Sequence, residues 1–449
     1  NNMKKFFECN LPKKAASYVD VRATKRINNI LANIHNRMDK LEEALNLTGL
    51  EGEQFAKGAK ILFDQQANSG ESLIDTMTAK EIADYVKPIA EKMPYQKRHE
   101  WDNAEVIVDT AFLSIPEWEA IRTIGIGGSD AAIALGVSPY RTELELYYDK
   151  HCIPEELDIE KNEDKKGKEF IFSYGHKVES LVIETFCNIT GAKVIPETRM
   201  FRKKSMPYIT ANIDAIVEMP DGRIFVFEAK TTTFFNKSAW ENNKIPVQYL
   251  PQCRQYLSVL DDPKIAGTYI GCIYGNTVNE FVCSYVERDM QKEQEQLDEI
   301  KYFWDTYILG NQKPDYSGKS ETDLKIQRRF SGSADKNAPA VELIPQDVEI
   351  IKEYLELNEQ KKKLIAKADG ITNKMQSLQL MITEELGRTV KGTVKKDDSS
   401  YYEVSYSPRS YTLLDKKMLK AVFPEVYEKV ITVIPENTRV FSIKERKIV

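Results

Sequence analysis

The chain has 449 residues, of which 42% are apolar and 10% aromatic, enough for a sizeable buried core and two or three domains. Charged residues make up 29% and leave a net charge of −6, which excludes a histone-like binder coated in lysine and arginine while leaving room for a local basic groove. Six scattered cysteines with no Cys-x-x-Cys pair, and only four histidines, argue against a zinc or iron–sulfur centre.

No run of about 18 apolar residues is present, so no membrane partner is expected. The start of the chain lacks the charged-then-apolar layout of a secretory leader, and reduced thiols in a cytoplasm are the expected setting. Residues 1–105 read as a helical extension without a chemical motif. Ile27, Ile30, Ile34, Met38, Leu41 and Leu45 recur at helical spacing. A break is expected at Gln66–Gly70, and a helix over Ala79–Ala90.

Residues 106–320 carry a mixed pattern. Ser114 with Pro116 two positions later predicts a helix start, and Gly125-Ile126-Gly127-Gly128-Ser129-Asp130 is a glycine-rich turn feeding a helix. The charged stretch Asp158–Lys168 reads as a solvated loop, followed by a helix over Gly175–Ile189. One alternating strand is predicted over Pro207–Met219, a turn at Pro220-Asp221-Gly222, and a second strand over Arg223–Thr231. A helix over Pro246–Leu260 and a buried strand over Ile265–Cys272 complete this part.

Residues 321–449 open with a long helical pattern, expected as an antiparallel hairpin or coiled coil with a turn or kink at Gly370. Short strands are expected over Tyr401–Tyr406 and Thr438–Ile443.

The chemistry concentrates around Ile213-Asp214-Ala215 and Phe227-Glu228-Ala229-Lys230. Residues two apart on a strand share a face, so Glu228 and Lys230 point the same way. A turn near Asp221-Gly222 brings Asp214 beside them. Two carboxylates and a lysine suit a hard cation such as Mg²⁺, which takes one or two protein carboxylates plus phosphate and water. A lone Glu-x-Lys also fits an exposed strand face, but apolar flanks and the nearby aspartate favour a site. Ser129 or Asp130 fits an ordinary helix cap as well as an anion seat. Arg202-Lys203-Lys204, Lys237 and Trp240 fit either nucleic-acid contact or plain solvation and packing.

In order, Gly127-Gly128-Ser129-Asp130, Gly175-His176-Lys177-Val178-Glu179, Asn212-Ile213-Asp214, Glu228-Ala229-Lys230-Thr231 and Gln252-Cys253-Arg254-Gln255-Tyr256 resemble the YqaJ-like viral recombinase family. That family stands with the lambda-type exonucleases in the PD-(D/E)XK superfamily. The resemblance implies an α/β core, a mixed central sheet flanked by helices, with helical additions at both ends. It implies that Asp214, Glu228, the Ala229 carbonyl and Glu179 serve a Mg²⁺ site, with Mn²⁺ able to substitute, and that Lys230 is catalytic. It implies that Gln252 and Tyr256 line the active site and meet DNA, and that Arg122 and Ser129 grip a 5′ phosphate. It also implies 5′→3′ digestion of duplex ends, 3′ overhangs for a single-strand annealing protein, and a trimeric ring. Arg254 and Gln255 depart from the family pattern, which bears on fine DNA contacts. An endonuclease of the same fold acting in restriction or defence, and a non-catalytic DNA-binding scaffold, are the alternatives.

Overall fold

The computed structural model describes residues 5–14, 21–65, 72–151, 165–275, 277–318, 323–324, 326, 337, 339–410 and 414–430. The chain divides into two compact units, residues 1–332 and 333–449. The expected break at Gln66–Gly70, most of the charged stretch from Asp158, and the strand at Thr438–Ile443 lie outside the described residues.

The first unit opens with helices α1 (Val21–Thr48), α2 (Gly52–Phe63), α3 (Leu73–Thr76) and α4 (Ala79–Ala90). The apolar spacing of α1 buries Ile27, Leu31, Ile34, Met38 and Leu41 in one line. Thr78 and Glu81 form a capping box that fixes the start of α4. These helices share one apolar cluster with Ile107, Val108, Phe112, Ile121 and Met200, which belong to the sheet region that follows.

That region contains β1 (Ala104–Asp109), α5 (Ile115–Ile121), α6 (Gly128–Ala134), α7 (Glu143–Lys150) and α8 (Lys165–Thr190). Next come β2 (Lys193–Ile195), β3 (Arg199–Lys203), β4 (Met206–Asn212), β5 (Ala215–Glu218) and β6 (Ile224–Thr231). Helix α9 (Leu250–Leu260), β7 (Ile265–Ile273), β8 (Phe281–Glu287) and α10 (Met290–Phe303) complete it. A five-stranded sheet runs β2-β5-β6-β7-β8, and a three-stranded sheet runs β1-β3-β4. The pair β6–β7 is parallel while β2–β5, β5–β6 and β7–β8 are antiparallel, so the larger sheet is mixed. Helix α8 covers one side of it through Val182 and Phe186 against Phe227, and α9 packs with β4 and α6.

The sequence differs from its expected form at one informative place. The single strand predicted over Pro207–Met219 is broken at Ile213-Asp214, and its halves join different sheets. The cause is local. The Asp214 carboxylate takes the Ala229 backbone N–H, so a side chain stands where a strand would continue the ladder. Lys165–Lys168, expected as loop, form the first turn of α8.

The second unit holds α11 (Asp347–Leu386), the hairpin β9 (Lys391–Lys395) and β10 (Tyr401–Ser405), and two short helices, α12 (Lys416–Val422) and α13 (Pro424–Val430). Among the described residues no antiparallel helical hairpin forms here. Helix α11 is one continuous 40-residue helix that passes through Gly370 without reversal. A single glycine lowers helix stability but leaves the hydrogen-bond ladder intact, and no proline is present to break it.

Candidate active site

Strand β6 is apolar through Ile224-Phe225-Val226-Phe227 and turns polar at its carboxyl end. Phe225, Val226 and Phe227 are wholly buried, which anchors the strand between β5 and β7. Glu228 and Lys230 then emerge beyond Phe227, which pairs with Ala215, the first residue of β5. Asp214 occupies the kink just before β5 and accepts from Ala229 N–H at 2.9 Å. The Lys230 ammonium donates to Glu228 Oε1. From α9, Gln252 Nε2 donates to the same Oε1 at 2.6 Å and to Tyr256 Oη at 2.7 Å. Four residues apart on a helix, Gln252 and Tyr256 share one face, and that face is turned to the acidic cluster.

A cavity of about 540 Å³ opens over this cluster. Its lining includes Arg122, Ser129, Glu179, Asp214, Glu228, Ala229, Lys230, Gln252 and Tyr256, the residues that the family resemblance implies for the site. Gly128 sits where α6 crosses α9. A Cβ there would lie 2.6 Å from the Tyr256 ring, so only glycine permits the approach.

The electrostatics follow from burial. Glu228 is 1% exposed. Desolvation and the neighbouring Asp214 charge push its carboxyl up to about 8, against the opposing pull of Lys230. Desolvation pushes Asp214 up to about 6, with Lys230 opposing and Glu179 adding to the rise. Glu179 is raised as well, by burial and by the Glu228 charge. The Lys230 ammonium is held firmly protonated. Burial works against its charge, and Glu228 and Asp214 outweigh it. Its Nζ also lies 5.1 Å from the Tyr249 ring centre.

These residues fit a divalent cation. Glu228 Oε2 is buried with no hydrogen-bond partner, an orphan acceptor of the kind that a cation satisfies. Among the described residues no group of three or more His, Cys, Asp and Glu side chains is arranged to hold a metal ion. A cation bound here would find the carboxylates of Asp214 and Glu228. That ligand count matches a small hard ion that keeps most of its water.

In the same cavity, Arg122 Nη2 donates to Ser129 Oγ at 2.6 Å, and the Arg122 guanidinium packs over the Trp118 ring at 4.7 Å. Asp130 is not aimed at the cavity. Its carboxylate accepts from Gly127 N–H as a helix cap and from Lys150 Nζ at 2.7 Å. Burial raises Asp130, but Lys150 and Arg122 together bring it below the usual carboxylate range. Lys150 also donates to the Arg122 carbonyl. This buried lysine neutralises Asp130, whose carboxylate lies 3.8 Å from the Arg122 guanidinium and would repel an anion there. Sequence reasoning missed it, because its partner lies twenty positions away with no local pattern to link them.

Other expectations resolve into structure. Gln255, at a position that departs from the family pattern, is fully buried. It donates to the carbonyls of Ile126 and Thr210, tying the glycine turn to β4. Arg202 is paired to Glu105, Lys203 donates to the Ser258 carbonyl, and Lys204 donates to the Asp102 carbonyl. Trp240 is buried and stacks on Tyr249. These groups brace the fold, as their plain reading holds.

The mixed sheet flanked by helices, with two acids and a lysine where β5 and β6 meet, defines an α/β protein with an acidic site in its sheet. Residues 117–267 match the model of the YqaJ-like viral recombinase domain. The chain is 30% identical over 347 residues to "Uncharacterized protein YqaJ" of Bacillus subtilis (strain 168), covering 76% of this chain and 98% of that one. The chain belongs to the YqaJ-like viral recombinase family. Among solved structures, it is similar to an alkaline exonuclease (LHK-Exo) from Laribacter hongkongensis, with TM-score 0.34, 16% identity, 47% of this chain and 97% of that chain covered. The same enzyme in complex with dAMP matches with TM-score 0.34 and 15% identity, covering 48% of this chain and 96% of that chain.

Proposed function

We propose that this chain is a divalent-cation-dependent deoxyribonuclease that digests duplex DNA from its ends in the 5′→3′ direction. One observation carries the reading. Asp214, Glu228 and Lys230 converge, with the orphan Glu228 Oε2, in a cavity that Arg122 and Ser129 also line. Family membership and the name of the exonuclease it is similar to agree with that chemistry.

Asp214, Glu228 and the Ala229 carbonyl would hold Mg²⁺, with Mn²⁺ as substitute. When bound, the ion would polarise the phosphodiester and lower the pKa of a coordinated water. The chain's own groups do the rest. Lys230 offers a permanent positive charge to the phosphoryl oxygens as negative charge builds on them. Gln252 and Tyr256 hold Glu228 in place and face the scissile strand. Glu179 holds a water at the edge of the site. In hydrolysis the water oxygen bonds to phosphorus, the P–O3′ bond breaks, and the water's proton reaches the departing 3′ oxygen through solvent. The product is a 5′ mononucleotide.

The Arg122–Ser129 pair supports the polarity. A guanidinium beside a hydroxyl, with the local carboxylate already neutralised, suits a terminal 5′ phosphate. The overhang so produced is a substrate for a single-strand annealing protein.

Linear duplex labelled at one end, with or without a 5′ phosphate, tests this beside a covalently closed circle. The expected outcome is stepwise release of mononucleotides from 5′-phosphorylated ends in Mg²⁺, with the circle untouched. Glu228→Ala should abolish release. An opened circle would assign the site to an endonuclease, and degradation that survives chelation or Glu228→Ala would remove the proposal altogether.

A further inference from the structure

Helix α11 is about 60 Å long at 1.5 Å per residue, and none of its residues is buried. Its apolar residues are not scattered. Ile350, Leu357, Leu364, Ile371 and Leu378 recur at a strict seven-residue interval, and every one is at least half exposed. A second series falls between them at Tyr354, Lys361, Ala368, Met375 and Ile382. Together they alternate in steps of four and three, the a/d seam of a coiled coil, sustained over about five heptads. One polar residue, Lys361, interrupts the a series. A lone lysine at such a position fixes register and partner number at a cost in stability.

The charges select the partner and its direction. Residues 347–359 carry five acidic side chains and one basic, whereas residues 361–374 carry five basic and one acidic. Two parallel copies would set acid against acid, base against base and Lys361 against Lys361. Two antiparallel copies set each acidic stretch on a basic one. In the register that puts Tyr354 across from Leu364 of the other copy, Ala368 meets Ile350 and Lys361 meets Leu357. The flanking g positions then pair Glu353 with Lys367, and the e positions pair Ile351 with Ile365. In this register residues 347–371 of α11 overlap their own reversal in seam, flanks and charge, and Met375, Leu378 and Ile382 extend beyond the overlap.

We propose that α11 docks antiparallel on the α11 of a second copy of this chain, joining two molecules through a two-stranded coiled coil. The inference is independent of the nuclease reading.

Sedimentation equilibrium of the full chain tests it. The wild type is expected to have twice the mass of a Leu357→Lys/Leu364→Lys variant, whatever assembly the first unit makes by itself. The variant should keep its far-ultraviolet dichroism and its activity on linear duplex, which excludes misfolding as the cause. Glu353→Lys and Lys367→Glu should each weaken association about tenfold, since two symmetry-related attractions become repulsions. Combining both changes in one chain should restore association, and so should mixing the two single variants. A mass unchanged by the leucine substitutions would overturn the proposal. So would a charge-reversed double variant that fails to recover, or a wild-type chain whose α11 seam is protected from hydrogen exchange while its mass equals that of the variant.

Discussion

Glu228 carries more of the site's behaviour than any other side chain. An ordinary glutamate titrates near ~4.3, and burial beside Asp214 moves this one up to about 8. Between those values the folded chain holds a proton that the unfolded chain has already released. The cation-free fold therefore loses stability as pH rises through that window, and the loss levels off above about 8. A cation competes for the same oxygens, so its stabilising effect should grow with pH. The melting temperature should accordingly rise more on adding Mg²⁺ at about pH 8.5 than at about pH 6. The acid limb of nuclease activity should also move to lower pH as Mg²⁺ is raised. Glu228→Gln removes the buried charge while keeping the shape. It is expected to melt no lower than wild type without cation, to lose its melting response to Mg²⁺, and to fall at least ~100-fold in activity. Equal Mg²⁺ shifts at both pH values in the wild type would show that Glu228 is not the group the ion displaces a proton from. Much of this was legible in the sequence. Alternation alone puts Glu228 and Lys230 on one face, and the apolar run before them marks the strand as buried. The kink at Asp214 was not legible, because it depends on a hydrogen bond from a strand residue fifteen positions on. Nor was Lys150, whose role exists only once α7 lies against α6.

At the level of elements, α5 is the piece whose placement decides whether Arg122 reaches the cavity. Its start is fixed by Glu117, which accepts from both the backbone N–H and the hydroxyl of Ser114. The same carboxylate receives two bonds from Arg37 of α1, at 2.8 and 3.0 Å. Arg37 also forks onto Asp75 and donates to the Phe112 carbonyl, and it is 4% exposed. One buried guanidinium thus ties α1, α3 and the segment before α5 to the helix that carries Trp118 and is capped at its end by Arg122. The capping signature of α5 could be read from Ser114 and Pro116. The tie to Arg37 could not, because it spans 80 positions in the chain. Arg37→Met should leave two carboxylates without their partner and cost about 3–5 kcal/mol, read from the urea midpoint. Because it acts through α5, it should raise KM for 5′-phosphorylated ends several-fold more than it lowers kcat. An unchanged midpoint, or a loss confined to kcat, would show that α5 is held by other means.

On the scale of the whole molecule, the helices that precede the sheets are part of the same packed body. The sequence suggests a boundary near residue 105, where a helical pattern gives way to strands. The apolar cluster runs straight across it: Phe7, Phe55, Ile82 and Val86 pack in one core with Ile107, Phe112 and Met200. Residue types predict which positions are buried, but not which of two adjoining elements will cover them. That is why a helical pattern and a strand pattern can be read on either side of residue 105 while the core they share cannot. A chain begun at residue 106 would bare Ile107, Val108, Phe112 and Met200. Each large apolar side chain contributes about 1.5–3 kcal/mol by its burial, so the exposed set approaches the 5–15 kcal/mol that holds a typical domain together. Such a chain is expected to aggregate or to lack a cooperative melting transition. One ended at residue 332 keeps this cluster and the Arg37 network, and should melt cooperatively and digest linear duplex. Calorimetry on the two truncations decides the matter. A sharp transition in the chain begun at 106 would mean that the N-terminal helices lie on a core already complete without them.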